Sequence, residues 1–200
     1  DTIETGRGFN TVLGGSGADK ITGGVNTDVV IGDNGKATFD PSSGESILTD
    51  IISTDETVGG IDTIITSDGY NVVIGGVDGD QITGGANTDV ILGDNGHAEF
   101  NATGVLTSIK TSVTAPGVGG DDVINVGDGS NTVLSGVGAD QINGGVNGDV
   151  VIGDNGVATF TDVGVLIRIV STETNLGGND IINVKDGYNV VMAGFGADQV

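Results

Sequence analysis

Asp62, Asn71, Asp80 and Asp89 stand nine residues apart, and each is followed two residues later by Ile or Val. The same comb returns as Asp1, Asn10, Asp19 and Asp28, as Asp122, Asn131, Asp140 and Asp149, and as Asp180, Asn189 and Asp198. A register held over fifteen units points to a quasi-one-dimensional solenoid, in which each turn packs only on its neighbours. The unit reads Gly-Gly-x-Gly-x-Asp-x-aliphatic-x, and its clearest copy is Gly14-Gly15-Ser16-Gly17-Ala18-Asp19-Lys20-Ile21-Thr22. Glycine at the first, second and fourth places admits backbone conformations closed to other residues and leaves carbonyls uncovered. The acid at the sixth place points its carboxylate into that turn. The last three residues are extended, and the eighth side chain faces inward. That place reads Ile3, Val12, Ile21, Val30, then Ile64, Val73, Ile82, Ile91, then Ile124, Val133, Ile142, Val151, an aliphatic column suited to a packed strand.

The pattern resembles the hemolysin-type, or RTX, calcium-binding family over about two-thirds of the chain. The resemblance implies an all-β fold, a parallel β-roll (a β-solenoid) with two nonapeptides per turn. It places multiple Ca2+ ions between each loop and the loop stacked on it one turn later. The implied carboxylate and amide ligands are Asp1, Asp19, Asp28, Asp62, Asn71, Asp80, Asp89, Asp122, Asn131, Asp140, Asp149, Asp180, Asn189 and Asp198. Loop carbonyls join them at Gly15, Gly17, Gly24, Asn26, Gly76, Asp78, Gly85, Asn87, Gly136, Gly138, Gly145 and Asn147.

The charge pattern agrees. Net charge is −22, and eleven of the 28 acids occupy a sixth place. Like charges stacked in register repel unless a cation lies between them. Calcium takes six to eight hard oxygens in irregular geometry, whereas magnesium demands a tighter octahedron. Zinc wants His or Cys, and this chain has one His and no Cys. The sign of the charge excludes nucleic acid as a partner. No apolar run approaches the roughly 20 residues of a membrane span, and no signal peptide is visible. The chain begins at a sixth place and stops at an eighth, so both ends are expected to be cuts in a longer array.

A larger repeat contains the small one. Asp1, Asp62, Asp122 and Asp180 are separated by 61, 60 and 58 residues. The blocks 1–56, 57–116, 117–174 and 175–200 are read as one continuous array, 1–200. Each full block ends in a modified fifth unit: Gly32-Asp33-Asn34-Gly35, Gly93-Asp94-Asn95-Gly96 or Gly153-Asp154-Asn155-Gly156. In it Ala replaces the sixth-place Asp, and Phe39, Phe100 and Phe160 fall on the eighth place. Asp33, Asp94 and Asp154 are therefore candidate ligands as well. Strand-like spacers follow at Ser46–Ser53, Val105–Val113 and Val165–Ser171. If fifth unit and spacer both continue the roll, a block has three turns and the chain about ten, roughly 48 Å long. The alternative is a spacer that leaves the roll and packs over its face.

Loops one, three and five should stack on one edge, and loops two and four on the other. This pairs Asp62 with Asp80, Asp80 with Asp94, and Asn71 with Asp89. Asp68, Asp128 and Asp186, three residues before loop-two Asn, are placed to restore the charge that Asn lacks. His97 reads as an exposed turn residue without a role, and Tyr70 and Tyr188 as edge packing. No nucleophile, base and orienting group can be assembled, so this piece is not expected to be an enzyme. Two functions remain. One is a calcium-stiffened stalk, adhesin or filament segment of a large secreted or cell-surface protein, of bacterial type and exported unfolded. The other is the C-terminal folding tail of a secreted protease or lipase. Finally, the seventh and ninth places after loops two and four are apolar, among them Leu13, Val29, Ile31, Val72, Ile74, Leu92, Ile152 and Met192. That stripe is expected to serve self-association or lateral packing, unless the spacers cover it.

Overall fold

The computed structural model describes residues 1–42, 44–113 and 117–200, and among these every regular element is a strand. The block boundary expected at 116 lies outside the described residues. Strands that follow loops one and three form a parallel sheet, sheet A: β1 (Thr2–Glu4), β3 (Lys20–Thr22), β7 (Thr63–Ile65), β9 (Gln81–Thr83), β13 (Val123–Gly127), β15 (Gln141–Gly144) and β19 (Ile181–Asn183). Strands that follow loops two and four form a second, sheet B: β2 (Asn10–Leu13), β4 (Asp28–Ile31), β8 (Val72–Gly76), β10 (Val90–Asp94), β14 (Thr132–Leu134), β16 (Val150–Ile152) and β20 (Val190–Met192). Like places stack on like: Ile21 on Ile64, Ile64 on Ile82, Ile82 on Ile124, and Val30 on Val73. The eighth-place side chains meet between the two sheets, and Ile21, Ile64, Ile82, Ile91, Ile124 and Ile142 are fully buried there. A slip of one residue would carry this column to the outer faces, which is why the register is pinned.

The fifth unit and the spacer do not continue the roll. They pair with each other as antiparallel hairpins: β5 (Gly35–Asp40) with β6 (Ile47–Ser53), β11 (Gly96–Phe100) with β12 (Leu106–Thr111), and β17 (Gly156–Phe160) with β18 (Leu166–Ser171). The hairpins then pair with one another, β6 with β11 and β12 with β17, to make a third sheet, sheet C. The roll therefore has seven strands per sheet and about seven turns, not ten, spanning roughly 29 Å at strand spacing. Phe100 is buried, and Phe39 and Phe160 pack beside it, but under sheet C rather than inside the roll. Each hairpin carries a bulge just before its Phe. In the first two, the hydroxyl of the extra residue donates back across it, Thr49 to Thr38 O at 3.1 Å and Thr107 to Glu99 O at 3.0 Å.

Sheet C lies on the outer face of sheet B and buries the apolar stripe. Val29, Ile31, Val72, Ile74, Val90, Leu92, Leu134 and Ile152 pack there against Ile51, Ala98, Ile109 and Ala158. Each such aliphatic side chain contributes about 1.5–3 kcal/mol on burial. The self-association expected through this face is thus replaced by cover from the same chain, because the hairpins bring matching apolar side chains at no cost of association. At the two ends of sheet B the cover is incomplete: Leu13 on the first strand and Val190 on the last keep 44% and 37% of their surface exposed. His97 is also corrected. It lies in β11, not in a turn, and its Nε2 is 2.5 Å from Asp50 Oδ1. Tyr70 packs at the B–C boundary as expected, whereas Tyr188 is fully exposed.

Candidate metal centres

The loops are shaped by backbone that crosses into the left-handed region at the second and fourth places. Gly15, Gly76 and Gly136 take φ of 98°, 130° and 113°, and Gly17 and Gly138 take 100° and 144°. Asn26, Asp78, Asn87 and Asn147 do the same at the fourth place, with φ of 91°, 67°, 87° and 89°, and Asn and Asp tolerate this better than other side chains. Second-place Gly24, Gly85 and Gly145 are needed for a different reason: a Cβ would lie within 2.4 Å of backbone in the loop stacked beside each. Carbonyls at the second and fourth places project along the stack. Gly120 O and Asn87 O each point at the fourth-place glycine of the next loop, where a Cβ would sit 2.0 and 2.1 Å away.

On the first edge the sixth-place carboxylates form a ladder. Each backbone N–H donates to Oδ1 of the next Asp: Asp19 to Asp62, Asp62 to Asp80 and Asp80 to Asp122 at 2.7 Å. The ladder continues from Asp122 to Asp140, Asp140 to Asp180 and Asp180 to Asp198, at 2.8, 2.9 and 3.1 Å. At its start the Asp1 amine lies 2.5 Å from Asp19 Oδ1. Asp80 thus stacks between Asp62 and Asp122, not between Asp62 and Asp94, because the fifth unit leaves the roll before it can add a rung. On the second edge Asn and Asp alternate. Asp28 N–H donates to Asn71 Oδ1, Asn71 to Asp89, Asp89 to Asn131, Asn131 to Asp149 and Asp149 to Asn189, all at 2.9–3.1 Å.

In this ladder Oδ1 is satisfied and Oδ2 is not. The Oδ2 atoms of Asp19, Asp28, Asp62, Asp80, Asp89, Asp122, Asp140, Asp149 and Asp180 are buried and meet no donor. Nine buried acceptors without partners are a large uncompensated cost unless a cation meets them. Burial, reinforced by neighbouring carboxylates, drives the carboxyls upward. Asp62 and Asp140 reach about 7, Asp180 about 8 and Asp80 about 10, while Asp122 rises well above the ordinary range. Burial also raises Asp28, Asp149 and, to about 7, Asp89. Among the described residues no three carboxylate or imidazole side chains converge on one point. A cation in a gap must therefore take much of its shell from backbone carbonyls, which suits calcium.

The fifth-unit acids are differently placed. Asp33 accepts from Gly60 N–H at 3.1 Å and from Val77 N–H at 2.6 Å. Asp94 accepts from Gly120 and Val137 at 3.1 and 2.5 Å, and Asp154 from Gly178 and Phe195. Both oxygens of each are satisfied, so these residues clamp the exit of one block to the loops of the next. Burial still lifts Asp33 and Asp154 to about 6. Asp68 and Asp128 each accept a backbone N–H of the stacked loop, Ala86 at 2.9 Å and Val146 at 3.0 Å. Asp121 and Asn179, not foreseen from sequence, clasp Ala139 and Ala197 in the same way at 2.7 Å. Their only sequence signal is a short polar side chain beside a repeat loop.

The family model of the RTX calcium-binding nonapeptide repeat (four copies) matches residues 1–38, 56–91, 71–97, 116–151 and 175–200. No curated protein and no solved structure matches the chain.

Proposed function

Because the chain belongs to the RTX calcium-binding nonapeptide repeat family, which binds multiple Ca2+ ions and is structural rather than catalytic, we propose that this segment is a calcium-stiffened module of a large secreted or cell-surface protein, a stalk, adhesin or filament. RTX repeats occur in exported bacterial proteins, which supports an extracellular setting. The observation that carries the reading is the first-edge ladder, whose rungs cross every block boundary from Asp19 to Asp198. The residues facing each gap are the sixth-place Asp and the second- and fourth-place carbonyls. Calcium there supplies the positive charge that the Oδ2 atoms lack, and ties each loop to the next. With no cysteine in the chain, ions take the part that disulfides play in other exported proteins. Without calcium, a net charge of −22 and stacked carboxylates oppose compaction, so binding energy becomes folding energy.

Circular dichroism and small-angle scattering in calcium and in excess EDTA test this. The expected result is a β spectrum and a compact, elongated particle in calcium, with both lost on chelation. A full β signal persisting in EDTA refutes the proposal.

A further inference from the structure

The two edges of the roll are not equivalent. On the second edge the side-chain amide of Asn71 lies in the gap between its own loop and the loop of Asp89. Its Nδ2 is 2.8 Å from Ser67 O, 3.5 Å from Gly69 O and 3.0 Å from Asp89 Oδ1. These are the second- and fourth-place carbonyls of one loop and the carboxylate of the next, the oxygen set that faces a cation elsewhere in the stack. Asn10 and Asn131 repeat the arrangement, with Nδ2 to next-loop carboxylate distances of 2.7 and 3.1 Å. The other side of each Asp is different. Asp28 and Asp89 present a buried Oδ2 without a donor, while neither side-chain atom of Asn71 or Asn131 is left unpartnered.

Resting on the calcium reading above, we propose that loop-two Asn is a built-in, uncharged substitute for the metal. Its NH2 group fills the gap from Asn to the following Asp. The gap from each Asp to the following Asn stays open to a hard divalent cation. The second edge therefore takes calcium in alternate gaps only, whereas every gap of the first edge is open. The amide offers two N–H donors where an ion would offer two positive charges, so it satisfies the same carbonyls without changing the fold. An oxygen in place of Nδ2 would leave Ser67 O, Gly69 O and Asp89 Oδ1 facing another acceptor, which a cation bound in the gap reconciles.

Asn71→Asp tests this, with bound calcium counted by native mass spectrometry on folded, calcium-saturated protein. The variant should hold one ion more than the wild type, and Asn71→Asp with Asn131→Asp two more. Asn71→Ala should hold no more than the wild type. An unchanged count for the folded Asn71→Asp variant overturns the proposal. Should that variant fail to fold, terbium-soaked crystals of the wild type decide. Anomalous peaks between Asp28 and Asn71 and between Asp89 and Asn131, with none between Asn71 and Asp89, support it, and a peak in the last gap overturns it. A wild-type chain that takes up no calcium overturns the calcium reading itself, a separate and distinguishable result.

Discussion

Replacing Asp80 by Ala should do far more damage than replacing Asn71 by Ala, and in a way that depends on calcium. Asp80 Oδ1 accepts the buried N–H of Asp62, and its own N–H donates to Asp122 Oδ1, so its carboxylate borders two gaps of the first edge. Removing it orphans the Asp62 amide, at about 1–3 kcal/mol. It also strips the only side-chain anion that the two gaps share. An ion present at a hundredfold excess over its Kd stabilises the fold by about 2.7 kcal/mol, so two lost ions remove about 5 kcal/mol more. The combined loss rivals the whole stability of an ordinary domain, about 5–15 kcal/mol. Asn71→Ala orphans the Asp28 N–H and the acceptors of Nδ2, but it removes a neutral oxygen from a single open gap, the one from Asp28, and so puts at most one ion at risk. The assay is Tm as a function of calcium concentration. The slope of stability against the logarithm of calcium counts ions taken up on folding. It should fall by about two for Asp80→Ala and by no more than one for Asn71→Ala. Equal slopes for the two variants would refute the stacking register, which gives Asp80 a place in two open gaps and Asn71 a place in one.

Two further outcomes follow from the geometry. Asp62 and Asp140 (about 7), Asp180 (about 8) and Asp80 (about 10) lie above the unfolded value near 3.9, so the calcium-free fold holds more protons than the unfolded chain. The stability this confers is full below about pH 4 and is lost as pH rises through about 7–10; a β signal absent at pH 8 in EDTA should return towards about pH 5, and a signal that instead strengthens with rising pH would contradict the burial of these acids. In saturating calcium, Ile109→Ala beneath sheet C should cost about 2–5 kcal/mol in urea unfolding, against within about 0.5 kcal/mol for Ile167→Ala, since Ile109 is fully buried and Ile167 is 65% exposed; equal effects would mean that sheet C is not packed on the roll.

The aliphatic column, the like-on-like register and the rungs from Asp62 to Asp80 and from Asn71 to Asp89 were legible, because they depend only on a period of nine and a turn of eighteen. The destination of the fifth unit was not. Phe39 at an eighth place faces inward in any strand with alternating sides, whether that strand lies in the roll or in a sheet laid over it. The signal that decides between them was present in Val72-Val73-Ile74 and Val90-Ile91-Leu92. Three consecutive aliphatic residues mark a strand buried on both faces, and the only chain free to cover the second face is the spacer. The amide of Asn71 was legible as a residue but not as a donor, since its partners Ser67 O and Asp89 Oδ1 come together only when the loops stack.

The rung from Asp19 to Asp62 spans 43 residues and the rung from Asp62 to Asp80 spans 18, yet both close at 2.7 Å. Each excursion leaves and rejoins the roll through a matching gate: Thr54 N–H to Asn34 O, Ser112 N–H to Asn95 O and Thr172 N–H to Asn155 O, all at 2.9 Å. The gate residues are 20 positions apart in the first excursion and 17 in the other two, and the return link to the next Asp is longest in the second block. The rungs close alike although chain length differs both inside the gate and in the link that follows it. Insertions at the hairpin tips can change what the array displays without shifting the spacing of its ions, so the same backbone can act as a ruler whose markings survive while its attachments evolve.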